Sequence, residues 1–442
     1  MSTLEVAPVS LLQPVTGEIR SVNFFNGRLL AGEDLSTEQQ AQRAERLLLG
    51  RAVGDGVAYG LEVYEAQARS ARAQPVVTVE PGLAIARDGD VIALGRRTDV
   101  ALASVEASTV DQESGASLFS DCLTATPGTY TTGAGVYILT IAPSSVAQGR
   151  APVSGQASGG ASCAVDASVE GVQFRLVGVP NISAAELAAS FASRLRSHVT
   201  HLMLGTGDPA RKRFRSDPFG PRVSRYGRLD EMLVAGLLTT REVPLAALAW
   251  TEGDGLRFID LWAVRRRLTR RAETDQIPDR LEGQAAVPRP AFSGDRAQSE
   301  AEALYLQFER QVDDLRGAAV LETLAAATTF EYLPAVGLLP LARPGRRGID
   351  PDRFFGAQGS RDGATIDAAL VPPLLREGLA HEPIEVGSGE PVQLYLLWES
   401  ELALGGRAST QPALVFAKHT VPYRGTRRYG YARLGAGRVS RW

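Results

Sequence analysis

The sequence predicts an α+β chain of several domains, in which small antiparallel β units are combined with amphipathic helices. A chain of 442 residues is too long for one ordinary core. Its hydrophobic share of 44% and charged share of 22% are those of a globular protein. Segments that alternate with period two are interspersed with segments at helical spacing, and Gly- and Pro-rich turns separate them.

Residues 1–100 are predicted to form a strand-turn-helix and β-hairpin module that serves for attachment. The letters SVNFF predict a short strand before the turn at Asn26-Gly27. A helix is predicted from about Asp34 to Leu49, with Ser36 and Gln39 at the spacing of a capping box. Its first two turns are polar, as in helices that lie on a surface or against a partner. The following PVVTVEPGLAIARDGDVIAL predicts two or three antiparallel strands.

Residues 101–180 are predicted to form a small β domain. Its strands are GVYILTIAP and EGVQFRLVGVP. The segment between them, SSVAQGRAPVSGQASGGASCAVDAS, is predicted to be a long loop of Gly, Ser and Ala. A loop of that length within a compact domain is usually functional or an interaction arm.

Residues 181–280 are predicted to be mainly helical, with one hairpin. The first helix lies in SAAELAASFASRLRSHVTHLML and opens with a capping box of Ser183 and Glu186. A second helix lies in RYGRLDEMLVAGLL, and a third is predicted for LWAVRRRLTRR. VPLAALAWTEGDGLRFID predicts the hairpin, since Gly-Asp-Gly separates its two strand-like halves.

A linker at 281–297 is predicted to precede a C-terminal α+β domain at 298–422. SEAEALYLQFERQVDDLR predicts an amphipathic helix capped by Ser299 and Glu302. DPDRFFG predicts an extended connection, DAALVPPLLREGLA a helix, and PVQLYLLWES and PALVFAKH two strands. The apolar stripe of the amphipathic helix consists of Leu304, Phe308, Val312 and Leu315.

The tail at 423–442 combines Arg, Gly and Tyr and ends in Trp. Tyr, Trp and Arg are the residue types that supply most binding energy at protein interfaces. The tail is therefore either an arm that contacts another subunit or an ordinary intramolecular strand. The predicted interface residues of the whole chain are Phe24, Phe25, Asn26, Gly27, Tyr423, Arg424, Arg427, Arg428, Tyr429, Tyr431 and Trp442.

No catalytic residue, cofactor site or metal site is predicted. The sequence has no G-x-S-x-G elbow, no Walker A loop and no G-x-G-x-x-G. His198 and His201 lie three apart on a helix, but no Glu stands at HExxH spacing, so surface or capping histidines near the helix C-terminus are favoured. Cys122 and Cys163 flank a stretch rich in Gly, Ser and Ala, and a single disulfide that closes this stretch is one alternative.

The charge of the chain does not favour nucleic acid or acidic lipid as a partner. Its formal net charge is -3 and its pI is about 6.0. One stretch, 211–228, interleaves arginines with aromatic residues, as surfaces that bind single-stranded nucleic acid do, but Pro and Gly interrupt it. No basic and apolar leader and no apolar run of about 18 residues occurs, so we expect cytoplasmic synthesis without a membrane span.

The N-terminal region resembles a module of bacterial extracellular contractile injection systems, which are phage-tail-like particles. The resemblance lies in NFFNGRLLAGEDLSTEQQAQRAERLLLGRAVGDGVAYGLEV and VTVEPGLAIARDGDVIAL. Later blocks of similar order are GVYILTIAP…GRAPVSG, VPLAALAWTEGDGLRFIDLWAVRRRL and VPPLLREGLAHEPIEV. The resemblance implies a structural subunit at the baseplate or in a fibre-like appendage, in a particle that is released from the cell.

Three functional hypotheses follow. The first is a non-enzymatic structural subunit of such a particle, bound to its other subunits and forming a homo-oligomer. The second is a tail-fibre protein that binds a receptor or glycan, with Trp398 or Trp442 stacking on the ligand. The third is a soluble enzyme of unrecognised type.

Overall fold

A computed structural model of the chain has an α+β fold, and this confirms the predicted class. Three predictions concern residues that the structure does not describe. They are the interface at 423–427 and 430–442, the capping box at Ser183, and the cysteine at Cys122. The structure describes residues 19–66, 70, 75–102, 134–152, 163–182, 192–216, 225–251, 253–269, 294–317, 321–342, 347–360, 364–398, 413–422 and 428–429.

The helices range from one turn to more than six turns. They are α1 Gly32–Val53, α2 Ala192–Leu204, α3 Pro209–Ser216, α4 Gly227–Val234, α5 Gly294–Gly317, α6 Ala326–Thr329, α7 Pro351–Phe355 and α8 Val371–Gly378. None of these helices, within the part of the chain that the structure describes, has both the length and the hydropathy needed to cross a membrane.

The strands are mostly short, apart from one long pair in the middle of the chain. They are β1 Gly56–Gly60, β2 Val63–Glu65, β3 Val76–Val79, β4 Gly82–Ile85, β5 Val91–Leu94, β6 Thr98–Ala101, β7 Gly135–Pro152, β8 Cys163–Gly178, β9 Val243–Thr251, β10 Gly255–Asp260, β11 Tyr332–Leu333, β12 Val336–Pro340, β13 Gly359–Ser360, β14 Ala364–Asp367, β15 Ile384–Glu385, β16 Val392–Trp398, β17 Ala413–Lys418 and β18 Arg428–Tyr429.

These strands form five sheets. Two small ones have the orders β1-β4-β5 and β2-β3-β6, and β11 pairs with β15. A four-stranded sheet has the order β10-β9-β7-β8, and a six-stranded sheet has the order β12-β17-β16-β14-β18, with β13 also on β16. Pairing is antiparallel except where β13 and β14 meet β16, so the six-stranded sheet is mixed.

Successive side chains of β7 point to opposite faces of the four-stranded sheet. One face packs against the N-terminal sheets and the other against the helices. Leu139 and Ile141 pack with Val77 and other apolar side chains of the N-terminal strands. Ile138 packs on the other face, with Val199 of α2. Strands from the predicted segments 101–180 and 181–280 thus share one sheet, and the domain boundaries stay predictions.

The C-terminal unit is built around α5, whose predicted apolar stripe is buried. Phe308 lies at the centre of an aromatic cluster, with ring centroids 5.4 Å from Phe330 and 5.5 Å from Phe416. The tilted and edge-on geometries are those that aromatic pairs prefer. The stripe and the strands of the six-stranded sheet together form the C-terminal core.

The N-terminal segment differs from the prediction in two respects. SVNFF forms no strand in the described residues, and α1 begins at Gly32, before the predicted start. The capping box of Ser36 and Gln39 is wrong, because Ser36 lies inside the helix and its Oγ donates to the Gly32 carbonyl at 2.9 Å. The carboxylate of Asp34 instead accepts a hydrogen bond from Ala31 N at 3.1 Å.

The predicted third helix in LWAVRRRLTRR is wrong over its described part. Residues 261–264 form a turn, after which Arg267 and Thr269 make isolated β-bridges to Val57 and Asp55. The guanidinium of Arg265 donates to the carbonyls of residues 60 and 61, at 2.6 and 3.1 Å. These tertiary hydrogen bonds outweigh the helical propensity of the segment.

Two predictions in the C-terminal part are also wrong. Ser299 does not cap α5, which begins at Gly294, and the Ser299 Oγ donates to the Arg296 carbonyl within the helix. DPDRFFG is not extended, because it forms α7. The Asp350 carboxylate accepts from the two backbone N–H groups of residues 352 and 353, and Pro351 suits the first helical position.

Candidate interaction surface

A tight turn at Phe24–Gly27 precedes α1. Gly27 has φ +90, a conformation that favours glycine, and Arg28 N donates to the Phe25 carbonyl at 3.1 Å. The side chains of Phe24 and Phe25 are 51% and 63% exposed. The structure therefore brings the four N-terminal interface residues of the prediction together in one exposed turn.

Arg28 fastens this turn to the first turn of α1. Its Nη1 donates to the Asn23 carbonyl at 2.7 Å, and its Nη2 lies 2.6 Å from Asp34 Oδ1. The hydrogen bond from the Ala31 N–H, and then that from Arg28, lower the pKa of Asp34. The carboxylate is thus ionised when it holds the turn.

The opposite end of α1 rests on the β4–β5 turn. A Cβ on Gly50 would lie 2.0 Å from the Gly89 carbonyl oxygen, so only glycine permits this approach. Arg51 Nε donates to the Asp88 carbonyl at 2.8 Å, and Arg43 pairs with Asp90 at 3.2 Å. These contacts set the helix against the N-terminal sheets along one narrow face.

Most of α1 faces solvent. Only Ala41 and Gly50 of its 22 residues are buried. Leu29, just before the helix, is 93% exposed. We define the N-terminal apolar surface as the exposed large apolar side chains of the turn and the helix, namely Phe24, Phe25, Leu29, Leu30, Leu35, Leu48, Leu49 and Val53.

Eight exposed large apolar side chains on one turn and the helix that follows it make this segment a candidate for contact with a partner, whereas single exposed apolar residues are ordinary. The interface prediction included Phe24 and Phe25 but none of Leu29, Leu30, Leu35, Leu48, Leu49 and Val53. The signal that could have found the last two is their spacing from Leu35 along the helix.

A second exposed feature is the β7–β8 ribbon, which replaces most of the predicted long loop. The two strands pair from Tyr137 with Gly178 to Pro152 with Cys163, whereas β9 pairs with β7 only over Gly135–Ile141. Val146 and Val169 lie opposite each other near the middle of the ribbon and are 56% and 48% exposed.

The unpaired edges of such a ribbon can accept a further strand. A two-stranded ribbon is also only marginally stable alone in water. The ribbon is therefore a second candidate contact for a partner.

Many arginines of the chain are committed to internal ion pairs. Arg196 lies 2.5 Å from Asp260 and 2.6 Å from Asp314, so it joins α2 to the end of β10 and to α5. Arg296 pairs with both Asp230 and Glu300, each at 2.9 Å. These pairs hold the helical layer together.

The same cluster accounts for part of the basic and aromatic stretch at 211–228. Arg211 is fully buried, with Glu300 at 3.7 Å and Glu382 at 3.6 Å. Burial raises the pKa of Glu300, but three arginines, Arg296 before Arg211 and Arg266, outweigh it and lower that pKa overall. Arg211 is thus enclosed by protein, whereas an arginine that binds nucleic acid has to be accessible at the surface.

A cavity of about 150 Å³ lies beside this cluster. The residues that line it include Tyr226, Arg266, Arg296 and Glu300. Arg266 donates to the carbonyls of residues 262, 263 and 265. Burial, only partly offset by Glu300, lowers the pKa of Arg266 to about 10. The Tyr226 hydroxyl also donates to Glu300 Oε2 at 2.8 Å, so these polar side chains bond to each other or to the backbone.

The two helical histidines have different environments. His198 Nδ1 lies 2.7 Å from Glu331 Oε2 near the surface. His201 is buried, with its Nδ1 2.9 Å from Thr206 Oγ1 and its ring centroid 4.6 Å from that of Tyr332. Burial lowers the pKa of His201 to about 3, so the expected surface or capping role is wrong for this residue. Among the described residues, no group of His, Cys, Asp and Glu is arranged to hold a metal ion.

Of the predicted tail contacts, only Arg428 and Tyr429 lie in the described part of the chain. They form β18, which pairs antiparallel with Ala364 and Thr365 of β14. At these two residues the backbone follows the intramolecular alternative. The interface prediction for Tyr423, Arg424, Arg427, Tyr431 and Trp442 lies outside the described residues.

No family model and no curated protein matches the chain. Among solved structures, the chain is similar to a crystal structure of TssK, with 11% identity, a TM-score of 0.22 and coverage of 50% of this chain. The chain spans about half of that structure, 54% of its length. A likeness at this TM-score does not establish a shared fold.

Proposed function

We propose that this chain is a non-enzymatic structural subunit of a contractile phage-tail-like particle, at its baseplate or in an appendage attached to it. The observation that carries the proposal is the N-terminal apolar surface, in which eight large apolar side chains between Phe24 and Val53 face solvent. Leaving them in water is unfavourable, and a partner that covers them gains roughly 25 cal/mol per Å² of apolar surface.

Two further features support an assembly role. The β7–β8 ribbon extends past its pairing with β9 and presents strand edges to a partner. The ordered sequence blocks that resemble contractile injection systems include the turn and α1, where the apolar surface lies. A receptor-binding tail fibre is the alternative within the same particle.

The proposal extends to where the protein acts. The subunit is made in the cytoplasm and assembled there with sheath, tube and baseplate proteins, and the completed particle leaves the cell. Symmetric particles contain several copies of each subunit, so we propose a homo-oligomer within the assembly.

Sedimentation of lysate from the source bacterium, followed by mass spectrometry, tests the proposal. We expect the protein in the fast-sedimenting fraction with sheath and tube proteins. The double variant Phe25→Ser and Leu29→Ser is expected to reduce its particle-bound share about tenfold or more, because interface anchors contribute about 2 kcal/mol or more each.

The matched control carries Val91→Ser and Val234→Ser, which are 53% and 64% exposed and lie outside the N-terminal apolar surface. It should stay in the particle. Slow sedimentation of the wild-type protein, apart from sheath and tube, would contradict the proposal. Polysaccharide binding by the particle that is lost on deletion of this chain would favour the tail-fibre alternative.

A further inference from the structure

The cavity beside the buried arginine cluster lies where the N-terminal sheets meet helices α2, α4 and α5. Its lining comes from these helices, from β1 and β9, from the end of β4 and from the segment after β10. Its volume of about 150 Å³ is close to that of an apolar cavity that holds one benzene molecule. The lining is mainly apolar, and its apolar side chains include Ile85, Met203, Leu229, Leu233, Leu238 and Val264.

The polar part of the lining includes Arg266, whose guanidinium is bound to backbone carbonyls. Its Nη1 donates to the carbonyls of residues 262 and 265 at 3.0 and 2.6 Å, and its Nη2 donates to that of residue 263 at 3.4 Å. None of the ion pairs that the described residues form includes Arg266. A guanidinium has five N–H groups, so that of Nε and one of Nη2 remain for a further acceptor.

The carboxylates in the same lining do not compensate the charge of Arg266 at short range. Three of them pair with other arginines, and Asp55 is not paired with Arg266 either. Glu300 acts on Arg266 only over a longer distance. The ion pairs of the lining carboxylates are Asp230–Arg296 and Glu300–Arg296, at 2.9 Å each, and Glu242–Arg175, at 2.6 Å.

Arg266 is a cation at neutral pH in spite of its surroundings. Burial lowers its pKa to about 10, which is still well above neutral pH. A cation that is removed from water without a counter-ion is unfavourable, and a carboxylate compensates this because it accepts strong, often bidentate hydrogen bonds from a guanidinium. An anionic group is therefore favoured beside Arg266, and an apolar group is favoured beside the leucines of the lining.

We infer that this cavity binds a small monocarboxylic acid with an apolar body, whose carboxylate accepts hydrogen bonds from Nε and Nη2 of Arg266. The apolar body lies against Met203 of α2 and against Leu229 and Leu233 of α4. An amine in place of the carboxylate is repelled by Arg266, and a neutral molecule leaves that guanidinium without an anion. A dicarboxylic acid places its second charge among apolar side chains, which is costly.

The ligand contacts parts of the chain that are far apart in sequence. Its binding favours the state in which the N-terminal sheets and the helices are packed together, so it should raise the Tm of the protein. The inference goes beyond the proposed assembly function and does not depend on it. Purified full-length protein therefore tests it, and the outcome is separate from sedimentation with sheath and tube proteins.

Isothermal titration calorimetry of the full-length protein with sodium benzoate at neutral pH is the first test. Benzoate joins one carboxylate to a single ring of the size that the cavity accommodates. We expect saturable binding with a Kd below about 1 mM. Benzyl alcohol and benzylamine carry a neutral and a cationic group on the same ring, and they should bind at least about tenfold more weakly than benzoate.

Arg266→Met removes the guanidinium and keeps an unbranched apolar side chain. It should weaken benzoate binding at least about tenfold, because the carboxylate loses its charged partner. Arg376→Met is the matched control, since Arg376 is exposed, lies outside the cavity lining and also donates to a backbone carbonyl, that of Pro372, at 3.3 Å. The control should bind benzoate as the wild type does.

Leu233→Phe tests the apolar part of the site without a change of charge. The larger ring occupies volume of the cavity, so this variant should lose benzoate binding, and it keeps the inference testable if Arg266→Met does not fold. Circular dichroism checks the fold of each variant. No saturable binding of benzoate up to about 10 mM, equal affinity for benzyl alcohol, or unchanged benzoate affinity in folded Arg266→Met would each overturn the carboxylate site.

Discussion

The two longest helices of the described chain, α1 and α5, have similar lengths and opposite surroundings. They contain 22 and 24 residues. Two residues of α1 are buried, whereas α5 buries a complete stripe that includes Phe308 and Val312. The difference shows that α5 packs its apolar residues into the core of its own chain, whereas most apolar residues of α1 are exposed in this chain.

The contrast originates in where the leucines lie. In α5 the apolar stripe coincides with the side that faces other elements. In α1 the two buried residues, Ala41 and Gly50, are small, whereas Leu35 and Leu49 are exposed. Small residues permit close approach of a helix to a turn, and large apolar residues facing outward suit a partner.

The largest expected effect concerns His201, a buried residue of α2, which packs beside α5. The fall of the His201 pKa from 6.5 to about 3 means that the unfolded chain binds a proton over a range of pH in which the folded chain does not. The stability that His201 contributes is therefore present above pH 6.5 and lost as pH falls toward 3. The total is roughly 5 kcal/mol, lost at up to about 1.4 kcal/mol per pH unit.

Urea unfolding of the wild type and of His201→Gln between pH 7 and pH 4.5 measures this share. The variant should have a shallower dependence of the free energy of unfolding on pH, because glutamine does not titrate. Identical slopes for both proteins would show that His201 titrates alike in the folded and unfolded chains.

Phe308→Ala tests the α5 side of the comparison directly. The ring is 2% exposed and contacts two other aromatic rings, so its removal leaves a cavity. We expect a loss of about 3–5 kcal/mol in the free energy of unfolding. The counterpart on α1 is Leu35→Ala, which is 50% exposed and should change it by less than about 0.5 kcal/mol in dilute protein. Equal losses would contradict the contrast between the two helices.

Apart from the counterpart variant Leu35→Ala, the smallest effect is local to α1. Gly50→Ala places a Cβ 2.0 Å from a backbone oxygen, so the helix has to move away from the β4–β5 turn. We expect a cost of about 1–3 kcal/mol, seen as faster amide hydrogen exchange in α1. Gly32→Ala is the matched control, because nothing lies within 4 Å of a Cβ there. Unchanged exchange in Gly50→Ala would mean that this contact does not hold the helix.

Sequence patterns correctly predicted the elements that are determined by residues close together in the chain. The hairpin of β9 and β10 and the stripe of α5 follow from alternation, turn residues and helical spacing, and the structure has both. The predictions failed where contacts with residues distant in the sequence determine the local structure. The turn at 261–264 depends on an arginine that reaches carbonyls some 200 residues earlier in the chain.

The candidate site was predictable only in part. Phe24 and Phe25 beside Asn26-Gly27 were predicted as interface residues, and both side chains are exposed in the structure. Leu49 and Val53 were missed because the helix was predicted to end at Leu49 and its apolar positions were assigned to Leu35, Leu47 and Leu48. Which residues of α1 are exposed depends on how the helix packs against the β4–β5 turn, and this contact is not visible in the sequence.

The β-bridges that join β1 to the segment after β10 can form only after that later segment has been synthesised. Val57 N donates to the Arg266 carbonyl at 2.9 Å, and Thr269 N donates to the Asp55 carbonyl at 3.1 Å. A ribosome adds about 5–20 residues per second, so the edge of the first sheet waits roughly 10–40 s for its partner segment. During that interval α1 and its leucines are already outside the ribosome. The exposed apolar residues of α1 are therefore accessible to chaperones before the N-terminal unit of the chain is complete.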